Sequence, residues 1–267
     1  MSDLIEGYLG KTVEGKKSRV PAKLDYLQSL TGGFLALFMW GHMLLVSSIL
    51  ISKDFMYTIT KLLEASFIWD GGNPILVTLV AAFIFVIFIT HAGLGMRKLP
   101  GNFKQYQVMK AHSVNMNHDD TKLWMTQAFT GFVMFFLGSV HLYIIMTNSA
   151  DIGPYASADR VWSEWMWPLY LLLLLAVEFH GTIGLYRLCV KWGWFDGKNP
   201  KETRKTLKKV KWALTVFFMV LGLASLFAYM KIGYDHAQEG KVGEKYVPTT
   251  AKIMTYEISN KSIGGIA

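Results

Sequence analysis

The chain reads as all-α, an integral membrane bundle of five transmembrane helices, and three observations carry that reading. It is 52% hydrophobic and only 17% charged, whereas a soluble domain carries about a quarter charged residues. Its charges cluster between long apolar runs, which is the pattern of a chain that crosses lipid. Five such runs, at about 27–52, 74–97, 123–147, 167–191 and 210–231, each reach the ~20 residues that a spanning helix needs.

Taken in order, each span has its own markers. The first follows a polar stretch with Lys16, Lys17, Arg19 and Lys23. The second opens at Pro74 and closes on Arg97 and Lys98. Lys122 leads into the third, which ends before Asn148. The fourth is flanked by Trp165, Trp167, Trp192 and Trp194, rings that favour the membrane interface. The fifth lies between Lys209 and Lys231. This divides the chain into a cytoplasmic N-terminal segment 1–26, a membrane domain 27–231 and a polar, peripheral tail 232–267. Residues 1–26 lack the apolar core of a signal peptide. No repeat or low-complexity segment is visible. The only cysteine, Cys189, excludes an internal disulfide and a Cys-ligated iron–sulfur cluster; it reads as a small packing residue.

Lys and Arg set the orientation. Of 27 such residues, nineteen fall in the N-terminal segment, the second connection and the fourth. The positive-inside rule therefore puts the N-terminus in the cytoplasm and the C-terminus outside. The same asymmetry accounts for the net charge of +8 without invoking nucleic acid.

Four spans each carry a histidine at membrane depth: His42, His91, His141 and His180. His112, His118 and His236 lie in polar segments. An intramembrane polar ring is costly and marks a functional site. At 1.5 Å of rise per residue, His42 and His141 stand about fifteen and eighteen residues past the inner ends of their helices, in the outer half. His91 and His180 stand about six and eleven residues before theirs, in the inner half. Depth alone pairs His42 with His141 and His91 with His180. Two separate two-histidine sites lack the three or four protein ligands of zinc. Haem brings four equatorial nitrogens and needs only two more, so the fold is read as enclosing two haems b. Gly41, Gly93, Gly138, Gly181 and Gly184 near these histidines allow close helix approach or room for a flat macrocycle.

The segments KKSRVPAKLDYLQSLTG, FMWGHM, FITHAGLGMRK, TGFVMFFLGSVHLYIIM, SEWMWPLYLLLLLAVEFHGTIGLYRL and VKWGWFDG resemble the dihaem cytochrome b subunit of quinol:fumarate reductases of the Wolinella, Campylobacter and Helicobacter type. The resemblance runs from about Lys16 to Tyr229 and does not extend to the tail. It implies a multi-pass subunit of the bacterial cytoplasmic membrane, surrounded by lipid. Such a subunit oxidises menaquinol and passes electrons through two haems b to iron–sulfur and flavoprotein subunits on the cytoplasmic face. The fumarate site would lie on a partner chain. The resemblance also leaves room for a dimer of heterotrimers. It makes His91 and His180 ligands of the proximal haem, and His42 and His141 ligands of the distal haem. Glu64 matches the acidic residue of the quinol site and Glu178 the glutamate of a proton path. Gln28, Ser29, Trp124 and Lys191 resemble donors to the proximal propionates, and Arg160 is placed to serve the distal haem. Read without the resemblance, Glu64 is a solvated loop residue. Three rivals compete: a succinate:quinone reductase running the reaction in reverse, a proton or solute transporter, and a haem-free anchor. The transporter lacks inverted repeats and broken helices.

Overall fold

The computed structural model describes residues 19–116 and 118–249. Most of the N-terminal segment, 1–18, and the end of the tail, 250–267, lie outside the described residues. The described chain is all helical: α1 (Val20–Val46), α2 (Lys53–Leu63), α3 (Pro74–Met96), α4 (Phe103–Met116), α5 (Asp119–Thr147), α6 (Pro154–Trp162), α7 (Trp167–Trp192) and α8 (Pro200–Gln238), with short 3₁₀ turns at Ser47–Leu50 and Ser149–Asp151. Five helices, α1 with its 3₁₀ extension, α3, α5, α7 and α8, are long and apolar enough to cross a membrane. Lipid offers no partners to a backbone, so a spanning segment must pair its own amides and carbonyls as helix. Embedded hydroxyls follow the same rule by bonding back one turn. Thr31 donates to the Leu27 carbonyl, Thr130 to Thr126 and Thr215 to Lys211.

Several helices outrun their expected bounds, for identifiable reasons. The first begins at Val20 rather than near 27, because its charged turn is satisfied: Asp25 pairs with Arg97, Lys98 and Lys191. Burial, only partly offset by Asp25, holds the Lys98 ammonium below its ordinary range. The third span begins at Asp119, where two acidic residues favour a helix N-terminus and Asp120 accepts from Tyr186 and Lys208. The fifth spans 39 residues, or ~58 Å, so its basic first turns extend beyond a hydrocarbon core of ~30 Å. It does not stop near 231. It continues to Gln238 and closes at Gly240 (φ 69°), where the Lys241 amide reaches the His236 carbonyl. The tail's first turns are thus helical and packed, and His236 is buried, not in a polar peripheral segment. The connections between the spans hold α2, α4 and α6.

Two compact units divide the chain. One holds Met1–Gly41, Ala81–Leu142 and Leu173–Met219; the other holds His42–Val80, Tyr143–Leu172 and Val220–Ala267. In the first, Trp40 stacks on Phe218 with parallel rings 5.4 Å apart, and Phe88 packs under Gly138. In the second, Ile49, Met56, Ala158, Val161 and Tyr229 form the core. Ser225 bonds Ser47, and the Tyr229 hydroxyl reaches the Val46 carbonyl. Leu37, Leu79, Phe83 and Val86 face outward, while Thr31, Thr130, Glu178, Thr182 and Ser225 are buried. That inversion of the soluble pattern is what a lipid solvent favours.

Gly233 fixes the contact of α8 with α6. A Cβ there would lie 2.3 Å from the Ala158 carbonyl oxygen and 2.7 Å from Trp162 Cβ. Gly233→Ala should destabilise the protein by about 1–3 kcal/mol, whereas Gly41→Ala, with nothing within 4 Å, should not. Thermal unfolding in detergent checks this; equal melting temperatures for the two variants would contradict it.

Candidate functional site

In the first unit, α3 and α7 bring His91 and His180 together. Their ring centroids are 6.3 Å apart and the planes cross at 88°. Each ring has one nitrogen committed to a neighbouring helix. His180 Nδ1 lies 2.9 Å from the Gln127 carbonyl oxygen of α5. A carbonyl only accepts, so Nδ1 carries the proton. His91 Nδ1 lies 3.1 Å from Thr31 Oγ1 of α1. The Thr31 proton is directed at the Leu27 carbonyl, 2.8 Å away, which leaves its oxygen to accept from His91. Both rings are therefore Nδ1–H tautomers, with the Nε2 lone pair available for a ligand.

Two glycines make this possible. A Cβ on Gly32 would sit 2.7 Å from His91 Cε1, and one on Gly131 would sit 2.6 Å from His180 Cε1. Neither glycine stood out in the sequence. Both belong to a short recurrence, Gln-x-x-Thr-Gly, at 28–32 and 127–131. The partner helices answer with glycines four residues after each histidine: Gly95 lies against Gln28 and Gly184 against Gln127. The expectation of no internal repeat is corrected to that extent. A five-residue pattern is below what periodicity reveals, and its meaning lies in contacts across helices.

The arrangement fits a flat macrocycle with a six-coordinate iron. A metal–imidazole bond of ~2 Å on each side, with a ring radius of ~1.2 Å, separates two axial centroids by about 6.4 Å. Among the described residues, no three His, Cys, Asp or Glu side chains gather to hold a metal unaided. Near the pair, Gln28 Oε1 and Arg97 Nε are buried with no hydrogen-bond partner among the described residues. Ser29 donates to the Asp25 carbonyl, and Lys191 lies 3.4 Å from both Ser29 Oγ and Asp25. Trp124 is half-buried on α5.

Glu178, on α7 two residues before His180, is fully buried, and neither carboxylate oxygen has a hydrogen-bond partner among the described residues. His42 belongs to the second unit and His141 to the first, and both rings are half-buried. Their pairing rests on the depth argument.

In the second unit, Glu64 is the C-cap of α2 and only 2% exposed. It is not the solvated loop residue that the bare sequence favours. Lys61 pairs with it at 2.7 Å and also donates to the Gly71 carbonyl. The chain then turns sharply through Ala65 (φ 53°) and Gly72 (φ 80°), and the Gly72 backbone presses against the carboxylate. Local sequence shows the helix but not this fold-back, which buries the group. Arg160, also buried, donates to the Asp151 carbonyl.

These features define a class: a helical membrane subunit built around intramembrane histidines. Residues 103–222 match the succinate dehydrogenase/fumarate reductase transmembrane subunit family. The chain is 57% identical to the fumarate reductase cytochrome b subunit of Wolinella succinogenes, over 87% of its own length and 91% of the relative's. It is 51% identical to the Helicobacter pylori subunit of the same name, over 89% and 92%. A succinate dehydrogenase hydrophobic membrane anchor subunit of Archaeoglobus fulgidus is 32% identical over 39% of this chain and 86% of that one. The chain belongs to the family of fumarate reductase cytochrome b subunits.

Gly131→Ala should displace the His180 ring and lower the b-type absorbance per protein, while Gly41→Ala leaves it unchanged. Equal absorbance in the two purified variants would contradict the cradle assigned to Gly131.

Proposed function

We propose that the chain is the dihaem, menaquinol-oxidising anchor of a fumarate reductase of the bacterial cytoplasmic membrane. The His91–His180 pair carries this reading: the ring centroids lie 6.3 Å apart, and Nδ1 of each ring is committed to a neighbouring helix, which leaves each Nε2 for a ligand. His91 and His180 would hold the inner haem b, and His42 and His141 the outer. When bound, the haems supply one-electron carriage between the quinol and the iron–sulfur and flavoprotein subunits on the cytoplasmic face. Gln28, Ser29, Trp124 and Lys191 are the donors at the inner propionates, and Arg160 is the donor on the outer side. The N-terminus is cytoplasmic and the C-terminus periplasmic.

Oxidation of a quinol releases two protons, and Glu64 is the group that accepts there. Lys61 pairs with its carboxylate at 2.7 Å. Protons released outside and consumed inside would build a potential, and moving one charge against 100 mV costs about 2.3 kcal/mol. A return path for protons removes that load. Glu178, buried and unpartnered, is its titratable station. The direction of the physiological reaction depends on potentials; running in reverse, the same residues would serve succinate oxidation.

Replacing His91 or His180 by Ala should remove one haem while the other remains. An unchanged haem-to-protein ratio in both variants would overturn the ligand assignment. In liposomes, Glu64→Gln should abolish menaquinol oxidation with haem content and artificial-donor fumarate reduction intact. Glu178→Gln should keep both haems and each partial reaction but slow coupled turnover at least tenfold. Normal turnover without a membrane potential would remove either residue from the mechanism.

A further inference from the structure

Asp159 on α6 and His236 near the end of α8 form a buried pair that the proposed chemistry does not use. Their side chains are 7% and 3% exposed, and Asp159 Oδ1 is 2.8 Å from His236 Nδ1. The other carboxylate oxygen accepts from the Gly243 amide at 2.9 Å. The ring stacks on Tyr155 with centroids 4.3 Å apart. His236 Nε2 is buried and has no hydrogen-bond partner among the described residues.

Each contact has a consequence. The carboxylate fixes the proton on Nδ1 and leaves the Nε2 lone pair pointing into the protein. A buried acceptor left unmade is rare and calls for an explanation. Gly243, whose amide donates to Asp159, lies in an exposed turn. That turn is itself pinned, since Tyr246 and Thr249 both donate to Asp54 of α2.

A chain of ring contacts runs from the partner of Glu64 to the pair. Lys61, which pairs with Glu64, lies over the Tyr57 ring. Tyr57 contacts Tyr246, Tyr246 contacts Tyr155, and Tyr155 stacks on His236. Around His236 the charged groups are Asp159 from α6, Asp235 and Glu239 flanking it in sequence, and Lys53 of α2 over the far side of Tyr155.

We propose that Asp159 and His236 form a second proton-accepting station for the quinol reaction. The proposal rests on the quinol reading of Glu64 given above. Oxidation of one quinol to quinone delivers two electrons to the subunit's electron carriers and two protons to bases. One proton goes to the Glu64 carboxylate. The other goes to His236 Nε2, converting imidazole to imidazolium, and then to water beneath the turn at Gly243.

The test uses the complete complex in liposomes and follows oxidation of a soluble menaquinol analogue across pH. In His236→Gln the amide can still donate to Asp159 but cannot take a proton. Its rate should fall about tenfold or more at neutral pH, and the acid limb of the wild-type profile should be absent. Asp159→Ala should slow oxidation likewise, because nothing then holds the proton on Nδ1 and the lone pair on Nε2, and Asp159→Glu should restore it. Haem content and artificial-donor fumarate reduction should be unchanged in all three. A wild-type rate and profile in His236→Gln would overturn the proposal and leave the pair as a clip between α6 and α8. If His236→Gln fails to assemble, a wild-type rate in Asp159→Ala overturns it equally. Glu64→Gln run in parallel separates the two ideas: loss of oxidation there with a normal His236→Gln profile overturns the dyad alone, and normal oxidation there overturns the role of Glu64.

Discussion

Two hydrogen bonds behind the His91 and His180 rings decide what that pair can hold. His180 gives its Nδ1 proton to a main-chain carbonyl of α5, and His91 gives its own to a threonine hydroxyl of α1. Each bond fixes a tautomer, a ring orientation and the helix pair that supplies it. Without them the rings could rotate, and neither Nε2 would be presented. The rest of the first unit supports this requirement. Gly32 and Gly131 let α1 and α5 come close enough to make the bonds. Ion pairs centred on Asp25 and Asp120 tie the same helices at their charged ends.

The two anchoring bonds differ in kind. A carbonyl is a fixed acceptor, but a hydroxyl accepts only while its own proton points elsewhere, here to Leu27. The Thr31 side chain is thus part of the site although it bears no charge. The buried carboxylates divide in the same manner. Glu64 has a cation at 2.7 Å, whereas both Glu178 oxygens lack a partner among the described residues.

Much of this was legible in the sequence, because lipid imposes simple rules. Apolar length gave the five spans, and depth counting paired His91 with His180. In the structure those two rings lie 6.3 Å apart. The missing parts are those that depend on contact between distant segments. A glycine in a membrane helix looks the same whether it packs against leucine or cradles an imidazole, so Gly32 and Gly131 were passed over. Glu64 looked solvated because the fold-back at Ala65 and Gly72 that buries it depends on backbone conformations that residue type alone does not reveal. His236 looked peripheral because nothing near it in sequence hints at Asp159, 77 residues away. Helix ends were misjudged where a charged residue finds its partner on another helix, as Asp25 does.

The central claim is that this chain holds two haems, each between two histidines. The most direct measurement is the haem-to-protein ratio of the purified subunit, with the electron paramagnetic resonance spectrum of its oxidised form. The account predicts two b-type haems per chain and two low-spin ferric signals. A ratio of one, or a high-spin signal from an iron lacking its second imidazole, would contradict it.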